Sequence, residues 1–120
     1  ALLRRMERVL QIVSEDREKR ALPITYQSLT LDPDQRQVKI EGRPIDLTPI
    51  EFDLLYLLLR NPGRVFSRTY LLETVWDQVY VEGDRSVDNA ILRLRKKLGD
   101  MADTIETAWG TGYRLRKTEE

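Results

Sequence analysis

A chain of 120 residues that is 41% hydrophobic and 33% charged has the size for one compact domain and too much apolar material for a disordered tail. With neither cysteine nor histidine it offers no disulfide, thiol nucleophile, imidazole base or usual zinc ligand, so metal, cofactor and most enzyme chemistry are not expected. Twenty basic residues balance twenty acidic ones, which argues against a polyanionic partner only if the charges are evenly spread.

Residues 1–20 place Leu2, Leu3, Met6, Val9, Leu10 and Val13 at helical spacing before SEDREKR, the pattern of a helix running into a linker. The chain opens at Ala1 in mid-helix, as expected of a fragment whose apolar stripe packs on a missing part. No stretch approaches the roughly 18 apolar residues of a membrane span, and no signal-peptide pattern is present, so a cytoplasmic protein without membrane contact is expected. From Ile24 to Leu47 the runs ITYQSLTL, RQVKI and PIDL are broken by Asp32-Pro33-Asp34 and Glu41-Gly42-Arg43, turn chemistry that fits a small antiparallel sheet.

Thr48 begins T-P-I-E, an N-cap with proline at the first helical position and Glu51 placed to close a capping box. Phe52, Leu55, Leu58 and Leu59 give this helix a broad apolar face, and Asn61-Pro62-Gly63 ends it. Ser67 caps a second helix carrying Leu71, Leu72, Val75 and Trp76, with Trp76 expected in the core or at its rim. Asp77 to Gly83 has no helical period and reads as a loop. A third helix spans 85–98, stopped by Gly99. TIETAW, the turn GTG and YRLRK close the chain as a β-hairpin over 104–117. Gly110-Thr111-Gly112 precedes a strand instead of opening a helix, which favours turn glycines over a phosphate cradle. Asp77, Glu82 and Asp84 lack metal-ligand spacing.

The charge is segregated. Residues 85–98 carry five basic side chains against one acidic, a net of +4, whereas 48–84 carry three against six, a net of −3. On a helical projection Val87, Ile91, Leu94 and Leu98 form a core stripe, and Arg85, Asn89, Arg93 and Lys96 lie opposite, with Ser86 beside them. Arginine offers a fork to guanine O6 and N7, asparagine pairs with adenine, and lysine neutralises phosphate. A basic solvent-facing helix often does no more than keep a protein soluble, so its neighbours must decide.

Those neighbours are L-T-P-I-E-F-D-L-L (47–55), S-R-T-Y-L-L-E-T-V-W (67–76), D-R-S-V-D-N-A-I-L-R-L-R-K-K-L-G (84–99) and W-G-T-G-Y-R (109–114). In this order they resemble the OmpR/PhoB family of winged-helix response regulators, from about Ile24 to Lys117. The resemblance implies an α+β winged helix-turn-helix at 21–120: an N-terminal four-stranded antiparallel sheet, three helices and a C-terminal hairpin wing. Residues 1–20 would be the end of a receiver-domain helix plus an interdomain linker. It further implies sequence-specific binding of double-stranded DNA, with helix 85–98 in the major groove, the wing at the adjacent minor groove, and two copies in tandem on direct repeats. Asn89 and Arg93 would read bases, with Ser86 close by. Arg85, Arg95, Trp76, Thr107 and Tyr113 would meet or support the backbone, and loop 77–83 would touch RNA polymerase. Phosphorylation would act on the absent receiver domain. The alternative is a winged helix whose basic face meets an acidic protein.

Two departures from the family pattern bear on affinity. Trp109 stands where the wing tip is often basic, so weaker minor-groove readout is expected, with the indole packing on sugar or protein. Ala90 and Leu92 stand where some relatives are polar or basic, which shifts the expected contacts towards thymine methyl groups.

Overall fold

Alternation of apolar and polar residues turns the N-terminal third into a sheet with one buried face. Strands β1 (Ile24–Tyr26), β2 (Leu29–Asp32), β3 (Gln37–Ile40) and β4 (Arg43–Ile45) are antiparallel in sequential order. Tyr26, Leu29, Leu31 and Val38 face inward, with Leu31 paired to Val38 across β2 and β3. The β2–β3 turn is held by the Asp32 carboxylate, which accepts from the amides of Asp34 and Gln35 at 3.0 and 3.3 Å. Glu41 and Gly42, both at positive φ, close the β3–β4 hairpin as a two-residue turn requires. This computed structural model describes residues 22–79, 81 and 83–117. The helix and linker expected over 1–20 lie outside the described residues.

Helix α1 (Pro49–Arg60) starts on the expected capping box: the Thr48 hydroxyl accepts from the Glu51 amide at 3.2 Å, and Glu51 Oε1 accepts from the Thr48 amide at 3.0 Å. Burial exceeds the expected apolar face, because every residue from Glu51 to Leu59 is buried. The helix packs against β1, against residues 72–76 and 86–98 and against the last strand at 112–115, so it forms the centre of the core.

Ser67 caps α2 as expected, accepting from the Tyr70 amide at 3.0 Å. The α-helical part covers only Arg68–Leu71, and Leu72–Trp76 continues as a π-helical turn, a widened geometry that hydrophobic periodicity does not distinguish. It stops at Asp77, whose φ of 57° is left-handed. Helix α3 covers Ser86–Leu98 with Arg85 as its N-cap. Gly99 ends the α-helix, but the chain continues as a 3-10 helix over Gly99–Thr104, so Thr104 precedes the wing instead of opening it.

The wing is also more than a hairpin. Strands β6 (Ile105–Ala108) and β7 (Gly112–Leu115) are joined by β5 (Phe66–Ser67) into a three-stranded sheet of order β5-β7-β6. Phe66 pairs with Tyr113 and Ser67 with Gly112. The wing root is thereby tied to the residue that caps α2. No helix among the described residues is long and apolar enough to cross a membrane.

Candidate nucleic-acid interface

Helix α3 separates packing from presentation. Val87, Ala90, Ile91, Leu94 and Leu98 are buried in the core, while Asn89, Leu92, Arg93 and Lys96 are exposed on the other side or at its edge. One expectation needs correcting: Ala90 is 0% exposed, so it is a core residue and cannot touch a ligand. Leu92, at 54% exposure, remains the apolar group of the presented face. Ser86, half-buried, begins the helix, and its amide donates to the Asp84 carboxylate at 2.9 Å. That local cap compensates for Arg85, whose side chain makes no capping bond.

The N-terminal half of α3 is fixed by Asp88. Its carboxylate accepts from Arg68 Nε at 2.8 Å, from Arg85 Nε at 3.1 Å and from the Tyr113 hydroxyl. Burial opposes its charge, but the hydrogen bonds from Tyr113 and Arg68 and the arginine charges outweigh it and hold the carboxyl below its ordinary range. Burial and the adjacent carboxylate push the Tyr113 hydroxyl up. The Arg68 and Arg95 guanidinium groups lie 5.1 and 5.8 Å from the Tyr113 ring centre, within cation–π reach. One cluster thus joins α2, α3 and β7.

The C-terminal half is fixed by Glu51, which is 0% exposed. Its Oε1 accepts from Lys97 Nζ at 2.7 Å and its Oε2 from Arg93 Nε at 3.4 Å. Burial again works against the charge, and it is overcome by the bonds from Lys97, the Thr48 amide and Arg93, so the carboxyl ionises below the ordinary glutamate range. Arg93 nevertheless keeps 58% of its side chain in solvent. It is anchored at Nε and open at its outer end.

Arg95 turns inward towards the wing. Its guanidinium donates to the Ile105 carbonyl at 3.1 and 2.7 Å and to the Thr107 hydroxyl at 3.0 Å. On the wing, Glu106 pairs with Arg114 and Arg116, each at 2.9 Å, and the bonds from Arg116 and Arg114 lower its pKa. At the tip the Thr111 amide donates to the Ala108 carbonyl at 2.9 Å, with Gly110 at a φ of 78°. Trp109 stands 90% exposed, not packed on its own chain.

The ten residues singled out from sequence therefore divide. Arg85, Ser86, Asn89, Arg93 and Lys96 share the outward face of α3, and Trp109 stands at the wing tip. Arg95, Thr107 and Tyr113 sit between helix and wing, where they position both. Trp76 is half-buried against the core. Of the loop at 77–83, residues 80 and 82 lie outside the described residues, while Gln78, Val79, Val81 and Gly83 are exposed. Sequence reasoning missed three residues: Glu51 was legible only as a cap, Asp88 only as the lone acid of α3, and Arg68 carried no signal.

A family model described as "Transcriptional regulatory protein, C terminal" matches residues 42–115. The chain is 45% identical over 94 residues to the transcriptional regulatory protein YclJ of Bacillus subtilis, a match covering 77% of this chain and 41% of YclJ. It spans less than half the length of such curated relatives. Among solved structures, the DNA-binding domain of Klebsiella pneumoniae RstA in complex with the RstA box superposes with a TM-score of 0.74 at 40% identity, over 78% of this chain and 96% of that one. The Thermotoga maritima response regulator DrrB, described as an OmpR/PhoB homologue, superposes with a TM-score of 0.73 at 34% identity, over 97% of this chain and 51% of that one.

Proposed function

This chain belongs to the transcriptional regulatory protein C-terminal family of OmpR/PhoB type, and from that premise we propose that it is the effector domain of a two-component response regulator, binding double-stranded DNA sequence-specifically to control transcription. The observation that carries the proposal is the outward face of α3, where Asn89, Arg93 and Lys96 stand exposed on a helix whose other side is locked into the core. A rigid helix with a polar, cationic face suits the major groove, and the RstA domain bound to its box supports the comparison. Asn89 and Arg93 are proposed to read bases, with Ser86 close by and Arg85 and Lys96 at the phosphates.

The expected result is that Arg93→Ala weakens a selected site by about 1 to 3 kcal/mol and relaxes preference at one base position. Wild-type binding should fall steeply as salt rises, with two copies on a direct repeat. Fluorescence anisotropy against selected and random duplexes measures this. Unchanged discrimination by Arg93→Ala would remove the recognition-helix assignment.

The wing is proposed to approach the minor groove through Trp109, without a cation at its tip. Trp109→Arg should then bind more tightly at A·T-rich flanks, where a narrow groove concentrates negative potential. Equal or weaker binding there would refute the placement. The loop at 77–83 is proposed to meet RNA polymerase, given its exposed Val79 and Val81. Polar substitutions of these two residues should spare DNA binding and reduce transcription in vitro, and normal transcription would exclude the role. Residues 1–20 are proposed to be the end of a receiver domain plus a linker, which the DrrB match over 97% of this chain supports. Such a protein would work in the cytoplasm, and limited proteolysis of a longer chain should cut within 14–20.

A further inference from the structure

The geometry points to Glu51, a buried residue of α1 that lies outside the outward face of α3, as the positioning residue that sets the specificity of Arg93. The inference rests on the DNA-binding reading above. Its two carboxylate oxygens are divided between tasks. Oε1 serves the Thr48 amide at 3.0 Å and Lys97 Nζ at 2.7 Å, while Oε2 is left to Arg93 Nε at 3.4 Å.

A guanidinium has five donors in a planar fork. With Nε engaged and 58% of the side chain in solvent, the two terminal nitrogens remain available, and they are a pair that can meet guanine O6 and N7 end-on. An arginine on a solvated helix normally spreads over many rotamers, and ordering it on binding costs affinity. Here the ordering is done in advance by an acceptor that is itself immobile, because Glu51 is fully buried and also closes the cap of α1. Lys97, tied to the other oxygen, keeps Oε2 aimed at Arg93. Lys96, exposed and without a partner among the described residues, has no such constraint. It suits a phosphate contact that carries no sequence information.

Glu51→Gln is the discriminating variant. Glutamine retains an oxygen for the Thr48 amide, so the capping box survives, but its amide nitrogen then faces Arg93 Nε, donor against donor. Binding is measured for wild type, Glu51→Gln, Arg93→Ala and the double variant, on the duplex that the wild-type chain enriches from a randomised pool and on random duplex. Glu51→Gln is expected to reduce the ratio of selected to random affinity by about tenfold, a sizeable part of what one bidentate base contact supplies. In the Arg93→Ala background the same substitution should leave the ratio unchanged, whereas a merely structural role for Glu51 would lower binding equally in both backgrounds. Equal effects in both backgrounds, or an unchanged ratio in the first, overturn the inference.

If Glu51→Gln fails to fold, the free wild-type domain decides: the Arg93 Nε–H should give an ordered nitrogen-15 signal protected from solvent exchange, because Glu51 Oε2 holds it. An Arg93 signal as mobile and as fast-exchanging as that of an arginine in an unfolded peptide would overturn the inference. Failure of the wild type to bind any duplex would strike the DNA-binding reading itself. Wild-type binding without coupling between residues 51 and 93 strikes only the role of Glu51.

Discussion

Glu51→Ala is expected to destabilise the fold by about 2 to 4 kcal/mol, somewhat below the usual cost of breaking a buried ion pair, because Lys97 and Arg93 can turn back to water once their partner is gone. Three losses combine. The Glu51 half of the capping box goes, so the Thr48 amide loses its acceptor at 3.0 Å, while the Thr48 hydroxyl still accepts from the amide of residue 51. The Lys97 and Arg93 tethers between α1 and α3 go with it, at 2.7 and 3.4 Å. A void is left beside a helix that is buried from Glu51 to Leu59.

Acid should act in the same direction. The folded-state pKa of Glu51 is depressed, so the stability its charge contributes is complete above the unfolded value of about 4.3 and is lost as the pH falls through the lower folded value. Asp88, also depressed, adds to that acid limb. Urea denaturation of wild type and Glu51→Ala at neutral pH, and of wild type from about pH 6 to pH 3, measures both effects. A difference below about 0.5 kcal/mol between the proteins, the size of an ordinary surface change, would show that the clamp contributes little.

Gly112→Ala is expected to cost about 3 kcal/mol or more, at the upper end of overpacking, because the obstruction is backbone that cannot change rotamer. A methyl group placed there would lie 1.9 Å from the Phe66 carbonyl oxygen and 2.9 Å from Ser67 Cα. Relief would require β5 to separate from β7, and with it the contact between the wing and the N-terminus of α2. Gly110 is the control. It has a left-handed φ of 78°, but a methyl group on its Cα would meet nothing within 4 Å, so Gly110→Ala should cost only about 1 to 2 kcal/mol of backbone strain. Thermal denaturation of the two variants ranks them, and a larger loss at Gly110 would contradict the close-approach account.

The two glycines show where sequence reasoning reached its limit. Both belong to G-T-G and both read as turn residues, yet only Gly110 is in the turn. Gly112 is a strand residue made obligatory by a neighbour far along the chain. The same division appears within α3. Its periodicity placed Val87, Ile91, Leu94 and Leu98 inward, as observed, whereas the family resemblance put Ala90 among the contacting positions, and packing at the edge of that stripe buries it. Arg95, expected to meet or support a backbone contact, donates to the Ile105 carbonyl and the Thr107 hydroxyl, a link to the wing that spacing does not show.

What the sequence determined by itself were the features set within a few residues: the Thr48 capping box, the Ser67 cap, the turns at Asp32 and Glu41-Gly42, the amphipathic α3 and the ordered motifs that carry the family resemblance. The caps, the turns and the face of α3 depend on groups a helical turn or a hairpin apart, so local spacing encodes them, and the motifs are read from their order along the chain. What only the tertiary structure decided were the contacts between Glu51 and Arg93, 42 residues apart, between Glu51 and Lys97, 46 apart, and between Asp88 and Tyr113, 25 apart. Those pairs form because a shared core brings α1, α3 and the wing to one place, and the energy that selects each partner is burial and close packing, which chain spacing does not record.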